Sequence, residues 1–112
     1  MDCIFCKIIA KEIPAKIVYE DETVIAFHDI APAAPVHIVI VPKEHIPSAL
    51  GIDGTNSAAV GHIYEVAAAI AGTLGIADSG FRIVSNCGSD GGQTVGHLHF
   101  HLIGGRQLGI MG

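Results

Sequence analysis

The alternation of apolar and polar positions predicts four short strands, a final strand and one long helix. Apolar runs rich in β-branched residues predict strands at residues 17–20, 24–28, 36–41 and 81–86. Pro42 follows the third run and ends that strand. The last strand is expected over residues 95–103, and a short helical segment over residues 3–10.

A helical repeat of apolar residues occupies the middle of the chain. Between Ser57 and Leu74 the apolar positions recur three and four residues apart, which predicts an α-helix. Thr55, Asn56 or Ser57 can cap its start. Short turns between the early strands favour an antiparallel meander. We therefore expect a single α+β domain over residues 1–112, with a five-stranded antiparallel meander sheet, one long helix and a short N-terminal helix.

The long helix is unusually poor in charge. Glu65 is its one Asp, Glu, Lys or Arg residue between Ser57 and Leu74, and much of the remaining surface is alanine and glycine. One interpretation is an alanine-rich side that faces solvent. A solvent-facing helix side normally carries more charges, so we predict a homodimer in which the helix is buried on both sides.

Composition narrows the class of protein. A chain of 112 residues builds one hydrophobic core. The net charge of −5 and the lack of a Lys/Arg cluster argue against a nucleic-acid groove. No apolar run approaches the about 20 residues that span a bilayer, so no membrane partner is expected. Three cysteines and no recognisable export signal predict a reducing, cytoplasmic setting.

Three histidines alternate with apolar residues near the C-terminus. In a strand, alternate side chains share a face, so His97, His99 and His101 are expected side by side, about 6.6 Å apart. The intervening residues then enter the core. Such a row of imidazoles suits either a metal cage or nucleophilic and acid–base catalysis. A nucleophilic imidazole needs an acceptor for its second nitrogen, and a backbone carbonyl near His97 is a candidate.

The flanking sequence favours a site that handles phosphate. The loop at residues 87–96 is rich in backbone N–H, hydroxyl and amide donors, which suit an oxyanion. A catalytic metal site would usually add a carboxylate nearby. From Ala77 onward the only acids are Asp78 and Asp90.

Four sequence blocks resemble the histidine triad family. The segment GGQTVGHLHFHLIGGR at residues 91–106 is similar to the family signature, and its Gly-Gly-Arg ending resembles the nucleotide-binding branch, the purine nucleoside phosphoramidases. Three earlier segments resemble that branch and follow in the same order along the chain: residues 4–15, 26–32 and 34–46. Together the blocks cover almost the whole chain.

The resemblance implies a catalytic role for several residues. It makes His99 the nucleophile that attacks the α-phosphorus of a purine nucleoside 5′-phosphoramidate, forming a nucleotidyl-histidine that water then hydrolyses. It implies that His37 and His101 donate to phosphate oxygens or to the leaving group. Gln93 and Thr94 are expected to contact the same groups. No cofactor is expected to be required for catalysis.

The resemblance also implies a nucleotide-binding set. Asp29 matches a family acid that accepts hydrogen bonds from both ribose hydroxyls, and Asn86 matches an asparagine near the phosphate. Phe5, Phe27 and Ile30 match positions in the wall of the base pocket. Each of these residues also has a purely structural interpretation. Asp29 and Asn86 can form turns, and the apolar residues can pack in the hydrophobic core.

The pair Cys3-x-x-Cys6 admits three interpretations: a redox pair, metal ligands or two buried thiols. Some histidine triad relatives carry zinc on a similar set. The resemblance therefore implies that Cys3, Cys6, His45 and His97 hold one structural zinc ion.

Three other functions compete with the phosphoramidase. A dinucleoside polyphosphate hydrolase is suggested by Gln93-Thr94-Val95, although residues 104–106 argue against it. A nucleotide-binding regulatory adaptor with little turnover belongs to another class. A cupin-like metal protein is disfavoured, because no glutamate follows the triad and the chain predicts a long helix.

Overall fold

The computed structural model describes residues 3–111 and has the predicted α+β architecture. Five strands form one antiparallel sheet, and a single 3-10 turn lies at Ala49–Gly51. The elements in chain order are α1 (Ile4–Ile9), β1 (Ile17–Glu20), β2 (Val24–His28), β3 (Val36–Pro42), α2 (Ser57–Thr73), β4 (Phe81–Val84) and β5 (Phe100–Gly104).

The strand order corrects one detail of the predicted meander. The order across the sheet is β1-β2-β3-β5-β4, so the first three strands lie in chain order and the last two lie in reverse order. The connection through α2 carries the chain to the far edge, where β4 forms, and β5 returns between β3 and β4. The more buried β5 takes the interior place, while the partly exposed β4 takes the edge.

The two faces of the sheet carry two separate clusters of buried apolar residues, where the sequence predicted a single core. Val24 and Ala26 of β2 pack with the buried side of α2, whereas Ile25 and Phe27 pack with α1. This division follows from the alternation of side chains along a strand. The α2 core includes Leu98, Phe100 and Leu102, the apolar residues that alternate with the histidines. The histidines therefore project towards the side of the sheet that carries α1.

The final strand is shorter than expected. We predict residues 95–103, but the ladder with β3 covers only Phe100–Gly104. Pro42 has no N–H to continue that ladder, and the Leu98 N–H donates instead to the Ile46 carbonyl at 2.6 Å. The segment before β5 keeps the alternation of faces without pairing as a strand.

The α2 helix also carries a histidine that contacts two carboxylates. His62 lies 2.6 Å from Asp21 and 3.1 Å from Glu65, and the hydrogen bond to Asp21 is the main reason that its pKa is raised. Burial alone would raise the pKa of Asp21, but hydrogen bonds from Tyr19 and His62 outweigh it and lower that pKa. This ion pair ties α2 to the β1–β2 turn.

Within residues 3–111, no helix is both long and apolar enough to cross a membrane.

Candidate active site and metal centre

A cavity of about 570 Å³ opens on the α1 side of the sheet. Its volume is in the range of small-ligand sites. The polar lining residues are Lys16, His28, Asp29, Thr94, His99 and His101. The apolar lining residues are Ile4, Phe5, Ile8, Ile13, Pro14, Ala15, Phe27, Ile30, Val39 and Val95. This combination suits a ligand with a flat apolar group joined to a polar or charged group.

His99 has a fixed tautomer. Its Nδ1 lies 2.7 Å from the backbone carbonyl of His97, which can only accept a hydrogen bond. The Nδ1 atom therefore carries the proton, and Nε2 of the neutral ring keeps its lone pair. The ring is 4% exposed and packs edge-on against Phe5, with centroids 5.0 Å apart. The arrangement is that of a nucleophilic imidazole held by a backbone acceptor.

A chain of hydrogen bonds fixes the other two histidines of the site. The Ala33 N–H donates to His37 Nδ1 at 3.0 Å, so the neutral His37 ring carries its proton on Nε2. That group donates to His101 Nδ1 at 2.8 Å, which leaves the proton of His101 on Nε2. Burial lowers the pKa of His101, and the neighbouring His99 and His37 lower it further. A neutral His101 thus presents one N–H donor.

Asp29 lies beside this chain with one oxygen available. Its Oδ1 accepts the Ala31 N–H at 2.8 Å, and its Oδ2 lies 3.4 Å from His37 Nε2. Asp29, His37 and His101 are close enough to share a metal ion. The Ala33 amide opposes this use, because it occupies the lone pair of His37 Nδ1 and forces a proton onto Nε2, the atom nearest the other two ligands.

The loop before the histidines is held by its own polar side chains. The Gln93 amide donates to the carbonyls of Pro47 and Val95 at 2.8 and 2.9 Å, and its oxygen accepts the Gly88 N–H at 3.0 Å. The Asn86 amide donates to the Gly91 carbonyl at 2.6 Å. Of the three polar loop residues predicted for the site, only Thr94 lines the cavity.

Two cysteines and two histidines form a second cluster next to His99. The ligand atoms of Cys3, Cys6, His45 and His97 all lie within 4.8 Å of one another. The His97 Nε2–H donates to the Pro42 carbonyl at 2.9 Å, so Nδ1 is unprotonated and faces Cys3 Sγ at 3.4 Å. It also faces His45 Nδ1 at 3.1 Å.

Burial shifts the pKa values of two residues in this cluster. Burial lowers the pKa of His97, which keeps the ring neutral as a metal ligand must be. Burial raises the pKa of the Cys6 thiol, an effect that a bound dication would oppose. Two sulfur and two nitrogen donors suit tetrahedral zinc. The predicted metal ligands therefore meet in space, and their donor set fits that ion.

Comparison with known proteins identifies the family. The HIT domain family matches residues 10–108, and the chain belongs to that family. It is 48% identical over 110 residues to the purine nucleoside phosphoramidase of Escherichia coli strain K12, covering 98% of this chain and 92% of that protein. A histidine triad protein structure from Clostridium difficile is 49% identical, with a TM-score of 0.96 over 100% of this chain and 97% of that one. A HIT family hydrolase from Clostridium thermocellum is 51% identical, with a TM-score of 0.95 and coverage of 98% and 96%.

These matches confirm the predicted histidine triad family and a hydrolase. Of the fourteen predicted site residues, seven line the cavity and His37 is hydrogen-bonded to one of them, His101. The other six lie elsewhere: Gln93 and Asn86 hold the loop, and the Cys/His cluster contains Cys3, Cys6, His45 and His97. Sequence reasoning missed the Ala33 amide and the Pro42 carbonyl, because backbone groups have no residue-type signal. The His97 carbonyl occupies the place expected for the acceptor of His99.

The loop provides a matched pair of glycine substitutions. A Cβ on Gly91 would lie 2.3 Å from the Cys87 carbonyl oxygen, whereas a Cβ on Gly96 would meet nothing within 4 Å. We expect Gly91→Ala to displace the loop and lower kcat/KM for a nucleoside phosphoramidate by about tenfold or more. Gly96→Ala is the control and should keep its kcat/KM. Equal values for the two variants would show that the loop geometry is not needed for turnover.

Proposed function

We propose that the protein hydrolyses the P–N bond of purine nucleoside 5′-phosphoramidates through a nucleotidyl-histidine intermediate. The proposal rests on the fixed tautomer of His99, which leaves a lone pair on Nε2. His99 is one of the residues that line the cavity. The name of the Escherichia coli relative supports the same substrate class.

The first step forms the covalent intermediate. His99 Nε2 attacks the α-phosphorus, a new P–N bond to the ring forms and the bond to the amine breaks. The amine nitrogen takes a proton from His101 Nε2 as its bond to phosphorus breaks, and His37 holds His101 in the tautomer that carries this proton. Such a step depends mainly on positioning and on stabilising charge around phosphorus.

The second step returns the enzyme to its starting state. Water attacks phosphorus, the bond between phosphorus and His99 Nε2 breaks, and the nucleoside monophosphate leaves. The proton lost by water returns to His101 Nε2, while His37 keeps its hydrogen bond to His101 Nδ1. The His97 carbonyl holds Nδ1 throughout, so the same His99 tautomer is restored.

The nucleotide is proposed to lie along the cavity. Phe5, Phe27 and the fully exposed Ile30 offer apolar surface for the base, and Asp29 Oδ2 is available for the ribose hydroxyls. Thr94 contributes its hydroxyl at the phosphate end. Gln93 and Asn86 act by holding the loop, which changes their expected role from direct contact to positioning.

The nucleophile is tested by separating chemistry from binding. His99→Asn should lower kcat for adenosine phosphoramidate by about a thousandfold or more, because no covalent bond to phosphorus can form. Its affinity for AMP, measured by calorimetry, should change little. His101→Ala should cost about a hundredfold, since it removes a donor and not the nucleophile. Wild-type turnover by His99→Asn would refute the assignment.

The same assay distinguishes the competing functions. A dinucleoside polyphosphate hydrolase would cleave diadenosine polyphosphates much faster than the phosphoramidate. A regulatory adaptor would bind AMP and show negligible turnover of both substrates.

We also propose that Cys3, Cys6, His45 and His97 hold one structural zinc ion. The donor set supports this role, since all four ligands come from the protein and leave no open position for chemistry. Bound zinc would join α1 to the segment that begins the catalytic row.

Metal content and thermal stability test the zinc site. Cys3→Ser should lose stoichiometric zinc and melt about 5 °C or more below the wild type, because zinc binding stabilises the folded state. Cys87→Ser is the matched control, since Cys87 is a free cysteine outside the cluster. Zinc far below one ion per chain, with no effect of a chelator on melting, would leave Cys3 and Cys6 as ordinary thiols.

A homodimer through α2 is the third part of the proposal. The side of α2 away from the sheet exposes mainly small residues, among them Gly61, Ala68, Ala69 and Gly72. These residues allow close approach of a second helix. The partners proposed are therefore a purine nucleotide and a second copy of the chain, and a cytoplasmic location stays a prediction.

Two alanines of α2 separate dimerisation from folding. Ala68 is exposed, whereas Ala71 is fully buried in the core of the single chain. Ala68→Glu should give a folded monomer by light scattering, because a charge would be buried at the interface. Ala71→Glu should unfold the chain, and Ala10→Glu, at an exposed site elsewhere, should stay dimeric. A wild type of monomeric mass at micromolar concentration would exclude the dimer.

A further inference from the structure

Cys3 and Cys6 are close enough to react with each other. Cys3 caps the start of α1, and its Sγ accepts the Cys6 N–H at 3.3 Å. The two Sγ atoms lie within 4.8 Å of each other. Cys3 has an extended backbone and stands just outside the helix, whereas Cys6 lies within it. A disulfide needs its two Cβ atoms about 3.5–4.5 Å apart, and it would turn Cys3 Sγ from the Cys6 N–H to the Cys6 sulfur. A Cys3–Cys6 disulfide would therefore remove the cap hydrogen bond and change the first turn of α1.

The first turn of α1 also forms a wall of the cavity. Phe5 lies between the two cysteines in sequence and lines the cavity. Its ring contacts those of Phe27, His97 and His99, with centroids 5.7, 5.9 and 5.0 Å apart. A change in this turn would reach both the proposed base site and the nucleophile.

A second route runs through His97. Its side chain belongs to the cysteine cluster, and its backbone carbonyl holds His99 Nδ1 at 2.7 Å. Displacement of the His97 ring from the cluster would disturb the acceptor that fixes the His99 tautomer.

We propose that Cys3 and Cys6 are a peroxide-sensitive dithiol, and that their oxidation to a disulfide weakens nucleotide binding by displacing the first turn of α1 and the His97 segment. The weaker nucleotide binding rests on the nucleotide site proposed above, and the release of zinc on oxidation rests on the zinc site proposed above.

The oxidation is balanced with hydrogen peroxide as the oxidant. Cys6 is the more accessible thiol, since Cys3 is only 5% exposed. The Cys6 sulfur attacks one peroxide oxygen, the O–O bond breaks, and the second oxygen leaves as water, giving a sulfenic acid. The Cys3 sulfur then attacks Cys6 Sγ, the S–O bond breaks, and a second water leaves. Two thiols lose two electrons and two protons, and one peroxide becomes two waters.

The metal cannot remain on the oxidised cluster. A disulfide has no thiolate to offer, so only His45 and His97 would remain as ligands. Two imidazoles do not complete a tetrahedral site, and the ion would be released. Reduction by a dithiol in the presence of zinc would restore the cluster.

The experiment uses the full chain in a Cys87→Ser background, which leaves Cys3 and Cys6 as its only thiols. The protein is treated with hydrogen peroxide, and the matched control carries Cys3→Ser in addition. Four quantities are measured: intact mass, zinc released to a chromogenic chelator, amide exchange of residues 4–9, and AMP affinity by calorimetry.

Peroxide should lower the intact mass by about 2 Da and release zinc. Amide exchange in α1 should become faster, and AMP should bind about tenfold more weakly. Reduction with added zinc should reverse all four changes. The Cys3→Ser control should show no such mass change. Failure of peroxide to form the disulfide would overturn the proposal. So would a disulfide that leaves both α1 exchange and AMP affinity unchanged.

The four measurements distinguish a failure of the dithiol from a failure of the zinc site or of the nucleotide site. A protein isolated without zinc would contradict the zinc site alone, since the mass, exchange and affinity arms need no metal. A reduced protein that does not bind AMP would contradict the nucleotide site, while the mass and exchange arms would still decide whether the dithiol controls α1.

Discussion

The hydrogen bonds of His97 are the constraint on which the site depends. Its carbonyl holds His99 Nδ1, its Nε2–H donates to the Pro42 carbonyl, and its Nδ1 faces the cysteine cluster. One fully buried residue thus joins the proposed nucleophile, the end of β3 and the start of α1. A buried histidine is costly unless its polar atoms have partners, and here each nitrogen has one.

The same principle explains the division of labour among the histidines. Each imidazole is identical in chemistry, and its role is set by what the backbone offers to one of its nitrogens. The His97 carbonyl keeps the proton of His99 on Nδ1 and so leaves Nε2 with a lone pair. The Ala33 amide donates to His37 Nδ1, so the proton of His37 is on Nε2 and can be donated. His101 receives that donation and keeps its own N–H for the ligand. These three contacts therefore distinguish the proposed nucleophile from the proposed proton donors.

The sheet places these groups on one side and the bulk of the apolar core on the other. Leu98, Phe100 and Leu102 anchor the segment in the α2 core, so the intervening histidines face the α1 side. The anchoring is strong because all three apolar residues are at most 5% exposed. The short helix α1 then closes this side and supplies both Phe5 for the cavity and two thiols for the cluster.

The sequence by itself determined the α+β class, the positions of the helices and most strands, and the row of histidines on one face, because these depend on periodicity and residue type. It did not determine that β5 lies between β3 and β4, nor that pairing begins only at Phe100. The tautomers of His37, His97 and His99 were decided by tertiary structure alone, since the Ala33 amide and the carbonyls of Pro42 and His97 act through position and have no signature in residue type.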